Sequence, residues 1–82
     1  MSRALYEIAR EINKEFNLGN WSEKAAFAAR AYINAMLELN TIDDMYGCDS
    51  GKSIVLYFLA NAGTWRGETA RRIKAELKEI VK

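Results

Sequence analysis

The sequence predicts an all-α fold: a compact bundle of four helices around a buried central helix at about residues 50–61, with no sheet. Three observations support this prediction. Residues 54–60 form an unbroken run of seven apolar residues, and a helix that is apolar on every face must be surrounded by other segments. Apolar residues on both sides of this run recur at the helical spacing of three and four. Strict alternation between apolar and polar residues, the pattern of a half-buried strand, is longest at residues 72–78, and the helical spacing of Ala70, Ile73 and Leu77 runs through the same segment.

Length and composition indicate one globular domain that spans residues 1–82. Half of the residues are apolar and 28% are charged, which is typical of a folded domain. The net charge of +1 argues against a dedicated nucleic-acid coat or a polybasic membrane binder. The single cysteine, Cys48, excludes an internal disulfide. The apolar run is too short to cross a bilayer, which needs about 20 residues, so we expect a cytoplasmic protein without membrane contact.

The first helix is predicted at about residues 2–17. Ser2 can cap its start, and Gly19 can end it, because glycine readily takes the left-handed conformation at a helix C-terminus. The predicted buried face carries, at helical spacing, Leu5, Ile8, Ile12 and Phe16.

The second helix is predicted at about residues 21–39. Asn20 and Glu23 have the spacing of a capping box, and the segment is rich in alanine, the best helix former. Two of its flanks are apolar: one carries Ala26, Ile33 and Leu37, the other Ala28, Ala31, Ala35 and Leu39. Such a helix packs against two neighbours or against another chain. Intrachain packing and a two-fold homodimer through the second flank therefore both remain open.

Phe27 interrupts the narrow polar stripe of this helix, between Glu23 and Arg30. Either Trp21 or the loop at residues 40–50 folds over it, or Phe27 is an exposed anchor for a partner. Coverage by the chain itself is the simpler interpretation, and the enrichment of aromatic residues at the centres of interfaces is the argument for the second. Trp21 and Arg30 would then be contacts beside it.

The segment at residues 40–49 is predicted to be irregular, with a single turn capped by Thr41. Residues 38–49 hold four acids and no base, whereas residues 66–82 hold six bases and three acids. Attraction between these two regions across the fold is the simpler interpretation. The other interpretation is a functional acidic patch that includes Asp43 and Asp44.

The last helix is predicted at about residues 65–81, with Thr64 as its cap after a turn at Gly63. Its basic face includes Arg71, Lys74 and Lys78, which suit the negative end of a helix dipole even without a ligand. Together the four helices predict a core of Leu5, Ile8, Ile12, Phe16, Ile33, Met36, Leu37, Ile54, Val55, Phe58, Leu59, Ile73 and Leu77.

The residues for common catalytic chemistry are missing from the sequence. Gly51-Lys52-Ser53 resembles part of a phosphate-binding loop, but the required glycine and the preceding strand are absent, so Asp49 or Ser50 is expected to cap the central helix instead. The chain has no histidine, which removes the commonest general base and metal ligand. We therefore predict no catalytic, cofactor or metal site.

A helix-turn-helix-like pair at residues 50–81 would make the protein a nucleic-acid-binding regulator. Trp65 and Arg66 would then contact a groove near the start of the second helix of the pair. Bulky Leu59, four residues before Gly63, and the low net charge argue against this alternative.

Two segments, Tyr57-Phe58-Leu59-Ala60-Asn61-Ala62 and Thr64-Trp65-Arg66-Gly67-Glu68-Thr69-Ala70-Arg71, resemble small uncharacterised proteins encoded by phages and mobile elements of Gram-positive bacteria. The resemblance implies stoichiometric binding, including inhibition of host defence as by anti-CRISPR proteins. Our leading hypothesis is therefore a non-enzymatic protein-binding protein that inhibits a host or defence protein. A nucleic-acid-binding regulator and a small-ligand sponge are the alternatives. The predicted partner contacts are Phe27, Trp21, Arg30, Asp43, Asp44, Trp65, Arg66, Arg71, Lys74 and Lys78.

Overall fold

The computed structural model describes residues 3–82, in which four helices and a two-stranded antiparallel sheet follow one another along the chain. The helices are α1 (Leu5–Asn17), α2 (Phe27–Met36), α3 (Gly51–Ala60) and α4 (Glu68–Ile80). The strands are β1 (Met45–Tyr46) and β2 (Asp49–Ser50). Four helices were predicted, but the prediction of no sheet is wrong. The predicted cap Ser2 lies outside the described residues.

The sheet is a short hairpin between α2 and α3. Tyr46 pairs with Asp49 across a two-residue turn, in which Gly47 has a φ of 62°, a left-handed conformation that favours glycine. Strands of two residues are too short to show an alternating pattern, which is why the sequence did not predict them. The hairpin leads directly into α3, where the Ser50 hydroxyl accepts the backbone N–H of Ser53 at 3.2 Å, confirming the predicted cap.

Close backbone packing at Gly51 explains the glycine of the Gly51-Lys52-Ser53 sequence without a bound phosphate. A Cβ atom at Gly51 would lie 2.6 Å from the carbonyl oxygen of Thr41, closer than real Cβ contacts allow. The backbone N–H of Gly51 also donates to the carbonyl of Asp44 at 2.7 Å. The glycine therefore permits the start of α3 to pack against the backbone of the preceding loop.

α2 begins at Phe27, so the predicted helix at residues 21–39 is too long at both ends. Asn20, the predicted cap, instead donates its side-chain N–H to the Glu15 carboxylate at 3.1 Å. The Ala25 carbonyl accepts the Thr64 hydroxyl at 2.9 Å. Because this bond directs the carbonyl toward the α3–α4 connection, continuous helical geometry begins only after it.

α4 begins at Glu68, and the prediction that Thr64 caps it is wrong. The Thr64 hydroxyl accepts the indole N–H of Trp21 at 3.1 Å while it donates to Ala25. Gly67 stands at the start of α4 with a φ of 112°, which glycine adopts without the strain that a side chain would bring. Trp65 is thereby left in a non-helical connection, from which its side chain turns inward.

α2 and α3 form an antiparallel pair. At one end the Thr64 hydroxyl, which follows α3, donates a hydrogen bond to the carbonyl of Ala25, which precedes α2. At the other end the backbone N–H of Lys52 donates to the segment that follows α2. Between these two hydrogen bonds, the ring centroids of Tyr32 and Tyr57 lie 5.5 Å apart.

The prediction that α3 is enclosed on every face is wrong. Phe58 is fully buried, but Leu56 is 47% exposed and Tyr57 is 51% exposed. A domain of 82 residues has too few segments to cover one helix on all sides. One apolar face of α3 therefore remains in contact with solvent.

An aromatic cluster joins the ends of the helices. The Trp21 ring stacks between those of Phe16 and Trp65, with centroid distances of 5.3 and 5.1 Å, and Phe58 meets both indoles edge-on. The Trp65 N–H is buried without an acceptor among residues 3–82, which costs about 1–3 kcal/mol. Burial of about 200 Å² of the Trp65 ring at about 25 cal/mol/Å² contributes about 5 kcal/mol. This gain exceeds the cost of the unpaired N–H.

Ion pairs connect α1 with α4. The Arg3 guanidinium donates to the carboxylates of Glu76 and Glu11 at 2.6 and 2.7 Å, and Arg72 donates to Glu11 from the other side. Burial opposes ionisation of Glu11, but the two guanidinium groups lower its pKa below the ordinary value. These contacts fix the register between the two helices.

The core follows the predicted stripes of the helices. Ten predicted core residues are buried, namely Leu5, Ile8, Ile12, Ile33, Met36, Ile54, Val55, Phe58, Ile73 and Leu77. The other three, Phe16, Leu37 and Leu59, are partly buried. The sequence did not predict the burial of Trp21, Trp65 and Leu39, or of several alanines.

Phe58→Ala tests the position of this core. We expect it to lower the free energy of unfolding by about 3–5 kcal/mol, since it leaves a cavity beside the two stacked indoles. Leu56→Ala, at a half-exposed site on the same helix, is the control and should cost about 1 kcal/mol or less. Urea unfolding followed by circular dichroism measures both changes. Equal effects of the two substitutions would place the centre of the core elsewhere.

Candidate functional site: two exposed surfaces

Two predicted partner contacts are core residues. Trp21 is 3% exposed and Trp65 is 1% exposed, and their rings stack on each other. Neither indole can therefore reach a partner without unfolding of the cluster. The sequence could not distinguish an aromatic anchor from a buried aromatic residue at these positions, because both lie outside the periodic part of a helix.

Arg30 and Asp44 have structural partners. The Arg30 guanidinium donates to the Asn13 side chain at 2.9 Å and lies over the Phe16 ring, 4.8 Å from its centroid. The Asp44 carboxylate accepts the backbone N–H groups of Asn40 and Thr41 at 2.8 and 3.0 Å. These contacts explain both residues without a ligand.

The predicted attraction between the acidic and basic regions is not found. Within residues 3–82, none of the ion pairs joins an acid of residues 38–49 to a base of residues 66–82. Asp43 is exposed, and Asp44 is held by backbone N–H groups of its own loop. The acidic and basic regions therefore form no direct ion pair with each other within the described residues.

Phe27 is 83% exposed, so neither Trp21 nor the loop at residues 40–50 covers it. It lies at the start of α2, four residues before Ala31, and residues at that spacing share one side of a helix. The interpretation in which the chain itself covers Phe27 is therefore wrong.

Phe27 belongs to a surface without charge on the outer side of the antiparallel helix pair. We define the α2–α3 face as Phe27, Ala28, Ala31, Tyr32, Leu56, Tyr57 and Ala60. Six of these seven residues are exposed and Tyr32 is half-buried. Both helices contribute to the face, and the contact between Tyr32 and Tyr57 joins their contributions. The apolar flank predicted for the second helix is therefore only partly covered by α3.

A second surface is basic. We define the basic stripe as Arg66, Arg71, Lys74 and Lys78. The three members on α4 recur at positions i, i+3 and i+7, which places them on one side of the helix. None of the four forms an ion pair within the part of the chain that the structure describes.

Two carboxylates of α4 are already paired, and the third lies beside one end of the basic stripe. Glu76 binds Arg3, Glu79 lies 3.9 Å from Lys82, and Glu68 lines a second groove together with Glu15 and Arg66. Three members of the stripe, Arg66, Arg71 and Lys74, line a groove of 430 Å³ with Gly63, Trp65 and Gly67. No acidic residue is among these six lining residues.

Lys74 lies at the centre of the basic stripe. Its ammonium group donates to the backbone carbonyl of Trp65 at 2.6 Å, which holds the charge over the start of α4. Burial lowers the pKa of Lys74, and the charges of Lys78 and Arg66 lower it further. The positive charges of Arg66, Lys74 and Lys78 therefore act on one another.

The helix pair proposed for a DNA groove does not have the expected geometry. Seven residues, 61–67, connect α3 to α4, whereas the turn of a helix-turn-helix has three or four. Trp65, a predicted groove contact, is in the core. Within residues 3–82, no cluster of acidic and cysteine side chains could hold a metal ion, and no helix is long and apolar enough to cross a membrane.

The sequence matches no protein-family model, and neither the curated proteins nor the solved structures contain a significant match to it.

Asp44→Asn tests the structural role of Asp44. Backbone hydrogen bonds from Thr41 and Asn40 lower its pKa, so the carboxylate stabilises the fold above its ordinary pKa of 3.8, and this contribution is lost as the pH falls through the lowered value. We expect the variant to unfold at lower urea near neutral pH, and the difference from wild type to shrink at acidic pH. Asp43→Asn is the control and should change little. A difference between wild type and Asp44→Asn that persists at acidic pH would contradict the assignment.

Proposed function

We propose that the protein is a non-enzymatic protein-binding protein that contacts its partner through the α2–α3 face. The observation that carries the proposal is the 83% exposure of Phe27 beside exposed apolar residues of α2 and α3. An exposed apolar surface of this kind typically marks an interaction site.

The composition of the face supports a protein partner. Phe27 and Tyr57 can act as aromatic anchors, and the small side chains of Ala28, Ala31 and Ala60 allow a partner to approach closely. Charged residues are depleted at interface centres, and all seven residues of the face are uncharged. A charged ligand would find no counter-charge there, whereas an apolar protein surface would lose little solvation on contact.

The resemblance to small phage and mobile-element proteins supports a narrower proposal. We infer that the partner is a host or defence protein in the bacterial cytoplasm, and that binding inhibits it, in the manner of an anti-CRISPR protein. Stoichiometric inhibition requires only a well-placed surface. It is therefore compatible with a chain that lacks histidine.

Phe27→Asp tests the face while preserving the fold. The substitution puts a carboxylate in the first turn of α2, where it suits the positive end of the helix dipole, so we expect an unchanged melting temperature. Loss of an aromatic anchor typically costs about 2 kcal/mol or more, or at least about 30-fold in affinity. The measurement is capture of a partner from a Gram-positive host lysate, with and without nuclease, followed by titration with the purified partner and an assay of its activity.

Leu18→Asp is the matched control. Leu18 is 70% exposed and lies after α1, outside the α2–α3 face, so this variant should keep full affinity and inhibition. Equal loss with both variants would show that the face is not the site. Recovery of nucleic acid alone, with no protein partner, would overturn the proposed function.

Light scattering tests whether the face instead joins two copies of the chain. We expect a monomer at micromolar concentration, which leaves the face free for a different protein. Ala31 is exposed, so Ala31→Glu should remain folded. A wild-type dimer that Ala31→Glu converts into a folded monomer would make the face a self-interface and contradict the heterologous partner.

A further inference from the structure

The basic stripe is a concentration of charge that the overall composition conceals. The chain has a net charge of only +1, yet Arg66, Arg71, Lys74 and Lys78 share one surface, and none of the four forms an ion pair among residues 3–82. Elsewhere the guanidinium groups of Arg3 and Arg72 are paired with carboxylates. Local distribution of charge, rather than its sum, determines whether a surface attracts a polyanion.

We propose that the basic stripe binds the phosphodiester backbone of nucleic acid without sequence preference. Arg71 and Lys78 are separated by seven residues of α4, or about 10 Å along its axis, so the stripe is long enough to contact more than one phosphate of a strand. Arg66 extends the stripe beyond the start of the helix, beside the groove that Lys74 also lines. A strand that follows the stripe would thus meet several cations in succession.

The chemistry of the stripe favours a nucleic acid over an acidic protein. Exposed ion pairs contribute only about 0–1 kcal/mol each, so a protein interface also needs an apolar or hydrogen-bonding centre. The exposed side chain that lies among the cations on α4 is Ala75, which supplies no such centre. Nucleic-acid binding needs none, because release of condensed counterions from the phosphates supplies the affinity.

The proposed binding differs from that of a helix-turn-helix because it does not depend on recognition of the bases. Trp65 is buried, and the four stripe residues are all cations, so no asparagine or glutamine is present to recognise an adenine. The stripe shares no residue with the α2–α3 face. Each surface can therefore be tested, and fail, without the other.

Fluorescence anisotropy with a short labelled DNA strand of mixed sequence, single or paired, tests the proposal on the purified protein. Four phosphate contacts on a single strand predict a slope of about −3 in log K against log salt, so binding should weaken about 50-fold between 50 and 200 mM salt. Arg71→Gln with Lys78→Gln should reduce the slope to about half. A steeper wild-type slope on the duplex than on the single strand is expected if both bind through the same contacts.

Lys14→Gln with Lys52→Gln is the matched control. These two lysines are exposed, lie outside the stripe, and their replacement also changes the net charge from +1 to 1 − 2 = −1. Both double variants should keep the wild-type melting curve, and the control should keep a slope near −3. The proposal is overturned by absence of wild-type binding at 50 mM salt, by equal losses in the two variants, or by polyglutamate competing as well as DNA does.

Discussion

The stacking of Trp21 on Trp65 is the contact on which the arrangement of the chain depends. It lies where the connection from α1 to α2 meets the connection from α3 to α4, with Phe16 and Phe58 completing the cluster. The Thr64 hydroxyl stabilises the same junction, since it accepts the Trp21 N–H and donates to the Ala25 carbonyl. Both connections are non-helical at this junction, and α2 and α4 begin after it, at Phe27 and Glu68.

The aromatic cluster also explains why particular side chains next to it are exposed to solvent. Burial of Trp65 on one side of an extended connection turns its neighbour Arg66 toward solvent, at one end of the basic stripe. The delayed start of α2 places Phe27 in its first turn, at the edge of the helix pair. Both surfaces thus derive from the same packing constraint. A substitution that opened the indole stack would disturb the two together, whereas one on either surface would leave the core intact.

Periodic stripes made much of the fold predictable. Leu5, Ile8 and Ile12 on α1, and Ile73 and Leu77 on α4, recur at helical spacing because those helices bury one face each. Trp21 and Trp65 stand at the first positions of the two predicted helices at residues 21–39 and 65–81, where no repeating apolar spacing distinguishes a buried ring from an exposed one. The exposure of one face of α3 could not be predicted either. A helix that is apolar on every face has the same kind of sequence whether the rest of the chain covers all of its faces or leaves one in solvent. Phe27 alone stood out, as an apolar residue within a polar stripe.

The separation of the two surfaces limits what each can do. The α2–α3 face has no charge with which to attract a polyanion, and the basic stripe has no aromatic or apolar centre that would hold a protein. Long-range electrostatic attraction acts over about 10 Å in ordinary salt, which exceeds the reach of apolar contact. If both surfaces bind the same partner, the basic stripe would attract it first, and the α2–α3 face would then form the stable contact. A protein partner that itself carries nucleic acid would satisfy both surfaces at once, because the stripe would then increase the local concentration of the chain beside the protein that the face recognises.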